Sequence, residues 1–374
     1  MADVTVYVDG TLASGANDGT SWANAYQGAT GLQAALDAVV DGNNTTMYLR
    51  NSLTITATID IDVGGGARAT NDWLDLIGCD ASGDPLTVGN YVDLDAADNN
   101  LGGPIVKISG FEAIRLRNLH AKNNNNATNA VDRGFQIHNA AGKYGFVFLN
   151  CKSTGCRSGL YVNDGANTRC IVGVDCDFEG NGDYGAYVGT YNHIFIDSRF
   201  KSDATPLGGA YGTTTVNCRF VEGTHGCYSS AWISAHINAT FYGQSAEAIW
   251  SNGSYSIVVA YNCVCVPDAD SDDFFTMTSG CLAAQDYNFL DATDDALLTS
   301  NSEVDATITF ADAGSGDFTI TSITDSSGNH LGALPGKPDA AGRGTMPGAI
   351  SSPRGVGIAS SDNGLVGAIT AGAL

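Results

Sequence analysis

Positive charge is scarce in this sequence, and its scarcity excludes two kinds of partner. The chain has 17 Lys and Arg residues against 40 Asp and Glu residues, which gives a formal net charge of −23. A field of this sign repels phosphate backbones and anionic lipid headgroups, so we expect neither a nucleic-acid partner nor a membrane partner. The same charge favours solubility, and a basic surface on another protein would attract it.

Long apolar runs and a targeting signal are also lacking. No segment approaches the ~18 consecutive apolar residues that a membrane span requires. The opening residues MADVTVYVDG contain neither a basic region nor an apolar core, so we expect no secretory signal. If the protein acts outside a cell, we expect it to leave by lysis or by another route that needs no signal.

Familiar metal and nucleophile motifs are missing as well. The chain has ten Cys residues without a CxxC pair and six His residues without an HxxxH pair, so a zinc site is not indicated. No GxSxG segment marks a nucleophile elbow. We expect each of the scattered His residues to be exposed to solvent.

What the sequence does contain is a repeat of about 22 residues between positions 145 and 265. The segments FLNCKS, VDCDFE, IDSRFK, VNCRFV, INATFY and YNCVCV each carry Asn or Asp at one position, and segments such as GLYVN and GAYVG follow them. A unit of this size forms two or three short strands and cannot bury its own apolar face, so the units must stack. The repeat therefore predicts an all-β parallel solenoid with one continuous core.

Alternation along each predicted strand assigns an inner and an outer face. In GVDCDFE, we expect Val174, Cys176 and Phe178 to point inward and Asp175 and Asp177 to point outward. We expect the inner cysteines to fill the interior as small hydrophobic side chains. The two predicted inner columns are Cys151, Cys176, Ser198, Cys218, Ala239 and Cys263, followed by Ser153, Phe178, Phe200, Phe220, Phe241 and Cys265.

Tyrosines recur at one position of the repeat, at Tyr161, Tyr187, Tyr211 and Tyr228. If these side chains point inward, they belong to the core. If they point outward, they form an aromatic stripe that could stack on sugars or on a neighbouring subunit. The pattern alone leaves both interpretations open.

The first fifty residues differ from the repeat. VTVYVDG predicts a strand, and TGLQAALDAVVDG predicts an amphipathic helix that Thr30 caps and Gly42 ends. Its apolar face would cover the open end of the first coil, as the ends of solenoids require. That face comprises Leu32, Ala35, Leu36 and Val39.

This opening, with its strand, the segment GTSW and the capping helix, resembles the start of right-handed parallel β-helix proteins of the pectate-lyase-like superfamily. GSGDFTITSITDSSGNHLG and DAAGRGTMPGAI resemble their last coil and closing segment, although PGAI replaces the usual acidic DIGA ending. The resemblance covers roughly residues 4–350 and implies a right-handed parallel β-helix (solenoid) with an N-terminal capping helix. The implied segments are 1–50 (strand and capping helix), 51–300 (coils), 301–350 (last coil and closing segment) and 351–374 (an arm or tail).

The superfamily also suggests where chemistry would lie. Its polysaccharide lyases use outward carboxylates, often with calcium, together with a basic residue. Here the candidate catalytic residues are Asp175, Asp177, Asp197 and Arg199. The alternative is a solvated sheet face with Asp177–Arg199 and Lys152–Asp177 ion pairs, each worth ~0–1 kcal/mol.

A second acidic segment, DADSDD at residues 268–273, resembles the opening of a calcium loop. It supplies the candidate metal ligands Asp268, Asp270 and Asp272. The EF-hand pattern fails, because Asp273 and Ser279 stand where that loop needs Gly and Glu. Calcium is therefore the one cofactor that the sequence leaves open.

Two classes of function remain. The first is a non-enzymatic phage virion protein, a capsid decoration or surface β-helix, with a homotrimer, a capsid or other virion protein and a surface polysaccharide as expected partners. Such a protein would assemble in the host cytoplasm and be extracellular after lysis. The second is a polysaccharide lyase or glycoside hydrolase, including a tailspike depolymerase. The acidic charge disfavours an acidic substrate unless calcium bridges it, which favours the first class.

Overall fold

The computed structural model describes residues 3–40, 42–62, 72–98, 101–109, 113–124, 131–138, 144–163, 169–180, 182–189, 192–209, 212–229, 233–252, 256–268, 274–277, 282–286, 288–291, 306–312 and 317–324. Contacts between residues divide the chain into two units. Unit 1 comprises Met1–Ile194 and Ser198–Gly209, and unit 2 comprises Phe195–Asp197 and Ala210–Leu374.

Unit 1 contains one short 3₁₀ helix (Trp22–Asn24), the helix α1 (Gly28–Asp37) and a long series of strands. The strands are β1 (Asp3–Asp9), β2 (Tyr26–Gln27), β3 (Asn44–Arg50), β4 (Leu53–Thr54), β5 (Ile59–Ile61), β6 (Leu74–Cys79), β7 (Val92–Asp95), β8 (Val106–Ser109), β9 (Ile114–Arg117), β10 (Leu119–Lys122), β11 (Arg133–His138), β12 (Tyr144–Leu149), β13 (Lys152–Thr154), β14 (Ser158–Asn163), β15 (Arg169–Val174), β16 (Asp177–Gly180), β17 (Tyr184–Val188), β18 (His193–Ile196, which the division crosses), β19 (Arg199–Ser202) and β20 (Thr205–Gly208).

These strands pair in parallel as three sheets, and each coil of the chain contributes one strand to each sheet. Sheet A of unit 1 has the order β2-β1-β3-β6-β9-β12-β15. Sheet B has the order β4-β7-β10-β13-β16-β19, and sheet C has the order β5-β8-β11-β14-β17-β20. Successive coils thus stack in register, as the repeat predicts.

Unit 2 repeats the same arrangement. Its strands are β21 (Thr213–Val216), β22 (Arg219–Val221), β23 (Cys227–Ser229), β24 (Ile233–Ile237), β25 (Thr240–Tyr242), β26 (Ile249–Ser251), β27 (Ile257–Tyr261), β28 (Val264–Val266), β29 (Phe275–Met277), β30 (Leu282–Asp286), β31 (Phe289–Leu290), β32 (Thr307–Asp312) and β33 (Asp317–Thr324). Within unit 2, three parallel sheets have the same pattern as sheets A, B and C, with the orders β21-β24-β27-β30, β22-β25-β28-β31 and β23-β26-β29. The strands β32 and β33 form an antiparallel pair. The all-β parallel β-helix that the sequence predicts is confirmed.

Both predicted inner columns are buried, and aromatic rings pack along the second one. In unit 1, the rings of Phe148 and Phe178 meet edge to face at 6.0 Å, and Phe178 lies 6.2 Å from Phe200. In unit 2, Phe220 and Phe241 stack at 4.6 Å. The described cysteines of these columns are free thiols inside the coils, as small hydrophobic fillers should be.

The corners between sheets A and B correct one detail of the predicted strands. Asp175 has φ 53°, and the equivalent Asn or Asp of the other repeats is also left-handed, a conformation that these two residue types tolerate best. β15 ends at Val174, just before Asp175, and a new strand starts at Asp177. The alternation of inward and outward side chains therefore does not continue through this segment. Val174 is consequently half-buried on the outer side of sheet A and does not point inward.

The capping helix is present, with different ends from those predicted. It starts after Gln27, which takes the N-cap position, so Thr30 lies within the first turn and does not cap it. It ends at Asp37, well before Gly42. The predicted apolar face is buried in full, and the helix packs against β1, β4 and β5.

The predicted segment bounds at residues 50, 300 and 350 remain predictions. Residues 325–374, with the closing segment and the arm, lie outside the described residues.

Candidate functional site

The outer face of sheet B in unit 1 holds the pair at the centre of the predicted catalytic cluster. Asp177 and Arg199 are register partners, and Arg199 donates from Nε to Oδ1 of Asp177 at 2.6 Å and from Nη2 to Oδ2 at 3.2 Å. Lys152 lies on the other side, with Nζ 3.3 Å from Asp177 Oδ2. Both predicted ion pairs are confirmed, and they occupy both carboxylate oxygens of Asp177.

The other two members of the predicted cluster lie in corners between strands. Asp175 is left-handed and follows β15, so it does not share the outer strand face of Asp177. Asp197 has φ 50° in unit 2, where its Oδ1 accepts a hydrogen bond from Asn217 Nδ2 at 3.0 Å. The expectation that Asp175 and Asp177 point outward from one strand face is therefore wrong, because the alternation of side chains does not pass through the left-handed Asp175.

The predicted calcium segment is described only at its first residue. Asp268 is exposed, and its backbone N–H donates to the carbonyl of Gln244 at 2.9 Å. Asp270 and Asp272 lie outside the described residues. Within the described part of the chain, no three His, Cys, Asp or Glu side chains are grouped to hold a metal ion.

Two histidines contradict the expectation of solvent exposure. His193 and His236 are completely buried, because both occupy inner positions of their strands. Thr215 Oγ1 lies 2.8 Å from Nδ1 of His236, and burial lowers the pKa of this imidazole to about 3. His236 is consequently neutral inside unit 2 at neutral pH.

The recurrent tyrosines that the structure describes point outward on sheet C, which decides between the two interpretations of the pattern. Tyr161 and Tyr187 are half-buried register partners whose rings stack at 4.9 Å. The Arg133 guanidinium covers the free end of this stack, 3.6 Å from the centre of the Tyr161 ring. A side chain at Gly209 would approach Tyr187 to 2.9 Å, so glycine there makes room for the ring. Tyr211 lies outside the described residues.

Tyr228 repeats this outward position in unit 2. Its ring lies 4.9 Å from that of Trp250, its register partner, and its hydroxyl donates to Asn252 Oδ1 at 2.8 Å. His225 packs on the same indole at 4.5 Å, and its Nδ1 lies 2.5 Å from Glu247 Oε2. Unit 2 thus carries an aromatic cluster on its sheet C face.

Sheet C of unit 1 also has a groove that the sequence did not reveal. The sheet C groove has a volume of about 430 Å³ and lies on the outer side of β5, β8 and β11. Polar and apolar atoms contribute about equally to its walls, and Arg133, which contacts Tyr161, is one of the wall residues. The lining residues are Thr58, Asp60, Gly102, Gly103, Pro104, Lys107, Val131, Arg133, Gln136 and His138.

Hydrogen bonds hold the polar groups of the groove in place. Asp60 accepts from Lys107 Nζ at 2.7 Å and from Ser109 Oγ at 2.6 Å, while Gln33 of the capping helix binds the backbone of Asp60 from the other side. Gln136 Nε2 lies 3.3 Å from His138 Nδ1. A carboxylate, an ammonium, an amide and an imidazole thus converge in one groove. Hydroxyl-rich ligands can use such donors and acceptors.

The sequence did not predict this groove, and the reason is physical. Its residues come from coils before position 139, where turns of unequal length hide the repeat. Two residues could have indicated the groove. Lys107 and Arg133 are two of only 17 cationic residues, and they lie on strands of the same sheet.

Comparison with known proteins supports the fold. No protein-family model matches the sequence, and no curated protein matches it. Pectate lyase Pel9A is similar in structure, with a TM-score of 0.52 and 12% identity over 93% of this chain and 87% of the lyase. At this identity the likeness shows the parallel β-helix fold alone.

Two further structures are less similar. ORF18 of Geobacillus virus E2 has a TM-score of 0.49 and 14% identity, over 75% of this chain and 61% of that protein. The chain therefore spans less than two thirds of the phage protein. The GH136 lacto-N-biosidase of Eubacterium ramulus has a TM-score of 0.42 and 10% identity, over 80% of this chain and 62% of the enzyme.

None of the helices in the described part of the chain has the length and apolarity needed to cross a bilayer.

Proposed function

We propose that this protein is a glycan-binding β-helix and that a saccharide occupies the sheet C groove of unit 1. The observation that carries the proposal is the groove itself, in which Lys107, Gln136 and His138 offer polar atoms beside an apolar part of the wall. Sugars combine hydroxyl groups with apolar C–H faces, so they fit a groove that offers hydrogen-bonding groups and apolar contacts together. The net charge of −23 disfavours the other polyhydroxylated class, nucleic acids.

The contacts of Asp177 favour binding over cleavage of the glycan backbone. A lyase or hydrolase needs carboxylate oxygens that face the sugar. Arg199 and Lys152 engage both oxygens of Asp177, and Asp175 lies in a corner. The alternative of a polysaccharide lyase or glycoside hydrolase, including a tailspike depolymerase, is therefore the less supported one.

A glycan array with calcium present, followed by calorimetry with the best ligand, tests this proposal. We expect Lys107→Ala and His138→Ala each to weaken binding roughly tenfold, as the loss of one polar contact of about 1.4 kcal/mol implies. Lys201→Ala, on the outer side of sheet B, is the matched control and should bind normally. Equal binding by all three variants would contradict the groove assignment, and unsaturated sugar products during incubation would identify a lyase instead.

We further propose that the protein acts at the surface of a phage virion as a homotrimer attached to a capsid or other virion protein. The support is an uncharged surface on the outer side of β21, β24 and β27 in unit 2. In a chain of this net charge, copies repel one another least where no charge faces them. The uncharged surface comprises the partly or fully exposed residues Thr214, Ile233, Ile257, Val259 and Tyr261.

Light scattering of the purified protein tests the trimer. Ile233 is 54% exposed within the uncharged surface, so Ile233→Asp should shift the mass toward one chain. Val40→Asp changes a residue that is 62% exposed in unit 1 and should leave the trimer intact. A monomeric wild-type protein would overturn the trimer, and flanking genes unrelated to capsid or portal proteins would overturn the virion setting.

A further inference from the structure

The outer face of sheet B in unit 1 carries a second constellation, on β7, β10 and β13, directly beside the Asp177 network. Asp93 Oδ1 lies 2.9 Å from Nδ1 of His120. The other ring nitrogen of His120, Nε2, lies 2.7 Å from Oγ1 of Thr154. A carboxylate, an imidazole and a hydroxyl are thus connected in series by two hydrogen bonds.

The stacking of coils places these three residues together. Asp93 and His120 are register partners on β7 and β10, and Thr154 is the partner of Lys122 on the following coil. All three side chains stand on the outer face, where the backbone of neighbouring strands fixes their spacing. The imidazole is mostly covered, with a side-chain exposure of 14%, while Thr154 is half-buried.

The hydrogen bonds define the direction of proton movement. An ionised carboxylate only accepts, so Nδ1–H of His120 donates to Asp93, and the lone pair on Nε2 accepts the Thr154 hydroxyl proton. Burial lowers the pKa of His120 and outweighs the opposing effect of Asp93, so the ring is neutral and basic near pH 7. The charged groups around it are Asp93 and Asp95 on β7, Lys122 on its own strand and Lys152 on β13.

We propose that Thr154 and His120 hydrolyse short-chain carboxylic esters, with Asp93 as the positioning residue. This arrangement of nucleophile, base and orienting carboxylate is the one that activates a hydroxyl for acyl transfer. Asp93 is itself held by Lys122, whose Nζ lies 2.8 Å from Asp93 Oδ2.

The first half-reaction transfers the acyl group to the protein. Thr154 Oγ1 bonds to the ester carbonyl carbon while His120 Nε2 takes the hydroxyl proton. The tetrahedral intermediate then breaks the bond to the alcohol oxygen, and His120 returns the proton to that oxygen as the alcohol leaves. In the second half-reaction, water gives a proton to His120 and bonds to the acyl carbon, and the acid leaves as Thr154 recovers its proton.

The natural substrate follows from the glycan role. Sugar hydroxyl groups are common carriers of short acyl groups, so an O-acylated glycan would supply the ester. This choice of alcohol rests on the proposed function, whereas the ester chemistry does not. Removal of the acyl group leaves the glycan backbone intact, which is compatible with a protein that binds and does not cut the chain.

Hydrolysis of p-nitrophenyl acetate by the intact protein tests the chemistry without any sugar. We expect Thr154→Val and His120→Gln each to reduce the rate about 100-fold, as loss of nucleophile or base does. Thr154→Ser should retain activity because it preserves the hydroxyl. Asp93→Asn should lower the rate and displace the pH profile, which a purely structural role would not do.

Thr240→Val is the matched control, because Thr240 is an outward threonine of sheet B in unit 2 whose register partners are Arg219 and Val264.

A second measurement identifies the nucleophile directly. Quenching the reaction in acid and analysing tryptic peptides by mass spectrometry should reveal an acetyl group on Thr154. Wild-type turnover no faster than that of Thr154→Val, with circular dichroism showing both folded, would overturn the proposal. Acetylation at lysine residues alone would overturn it as well. Because the probe has no sugar, failure of glycan binding would leave these results unchanged.

Discussion

Asn150 donates a hydrogen bond from Nδ2 to Oδ1 of Asn118 at 2.9 Å, across the corner between sheets A and B on successive coils. Both residues are left-handed, with φ of 48° and 57°. Asn150 Nδ2 also donates to the carbonyl of Asn90 at 3.0 Å, and its Oδ1 accepts from the backbone N–H of Gly89 at 2.9 Å. One buried amide thus joins two corners and fastens the loop before β7.

Asn150→Ala should lower the free energy of unfolding by about 2–5 kcal/mol. Buried backbone groups lose their partners, at about 1–3 kcal/mol, and alanine adopts the left-handed conformation at a cost of about 1–2 kcal/mol. Urea unfolding monitored by circular dichroism measures this difference.

Asn192→Ala is the matched control for the backbone contribution. Asn192 also has positive φ, 63°, but its side chain is exposed. We expect a loss of only about 1–2 kcal/mol there, the cost of the left-handed backbone alone. If Asn150→Ala cost no more than this control, the hydrogen bonds of the corner would contribute nothing.

The repeat made the fold predictable, while the corner residue was misassigned. Inner positions such as Phe178 and Phe200 follow from alternation within one strand. Asp175 interrupts that alternation because its backbone is left-handed. A change of backbone conformation at one residue cannot be recognised from the order of apolar and polar residues. The usable signal was the recurrence of Asn or Asp, the non-glycine residues that adopt this conformation most readily.

The candidate sites were less predictable than the fold. The series Asp93–His120–Thr154 requires knowing which coils are adjacent, and unequal turns separate these residues by 27 and 34 positions. The prediction that His236 is exposed rested on its residue type alone, although His236 occupies an inner position in the alternation along its strand. Position in the repeat is therefore a better guide to burial here than polarity.

The burial of His236 should make unit 2 sensitive to acid. The pKa of His236 is about 3 in the folded protein and near 6.5 when unfolded, so the unfolded chain binds the additional proton between these values. Stability from this group is present above pH 6.5 and decreases as the pH falls. We expect a loss of about 2 kcal/mol between pH 7 and pH 5.

Unfolding curves at both pH values, for wild type and His236→Gln, measure this contribution. The variant should lose about 2 kcal/mol less than wild type over the same interval, because glutamine does not titrate. Thr215→Val is the control, since it removes the partner of His236 without removing the imidazole. A variant with the wild-type pH dependence would show that His236 is protonated in the folded protein.

The cysteines should differ sharply in reactivity. Burial raises the pKa of Cys151 and of Cys263 to about 12, and only the thiolate is an effective nucleophile. Cys170 is exposed, so iodoacetamide at pH 8 should modify it well before the interior thiols. Mass spectrometry of tryptic peptides gives the extent of labelling at each position, and labelling in guanidinium chloride shows that every thiol can react.

Labelling of Cys151 at the rate of Cys170 in the native protein would contradict its place inside the coils. Recovery of Cys151 and Cys176 in one disulfide-linked peptide would contradict their assignment as separate interior thiols, and would require the parallel side chains of adjacent coils to turn toward each other.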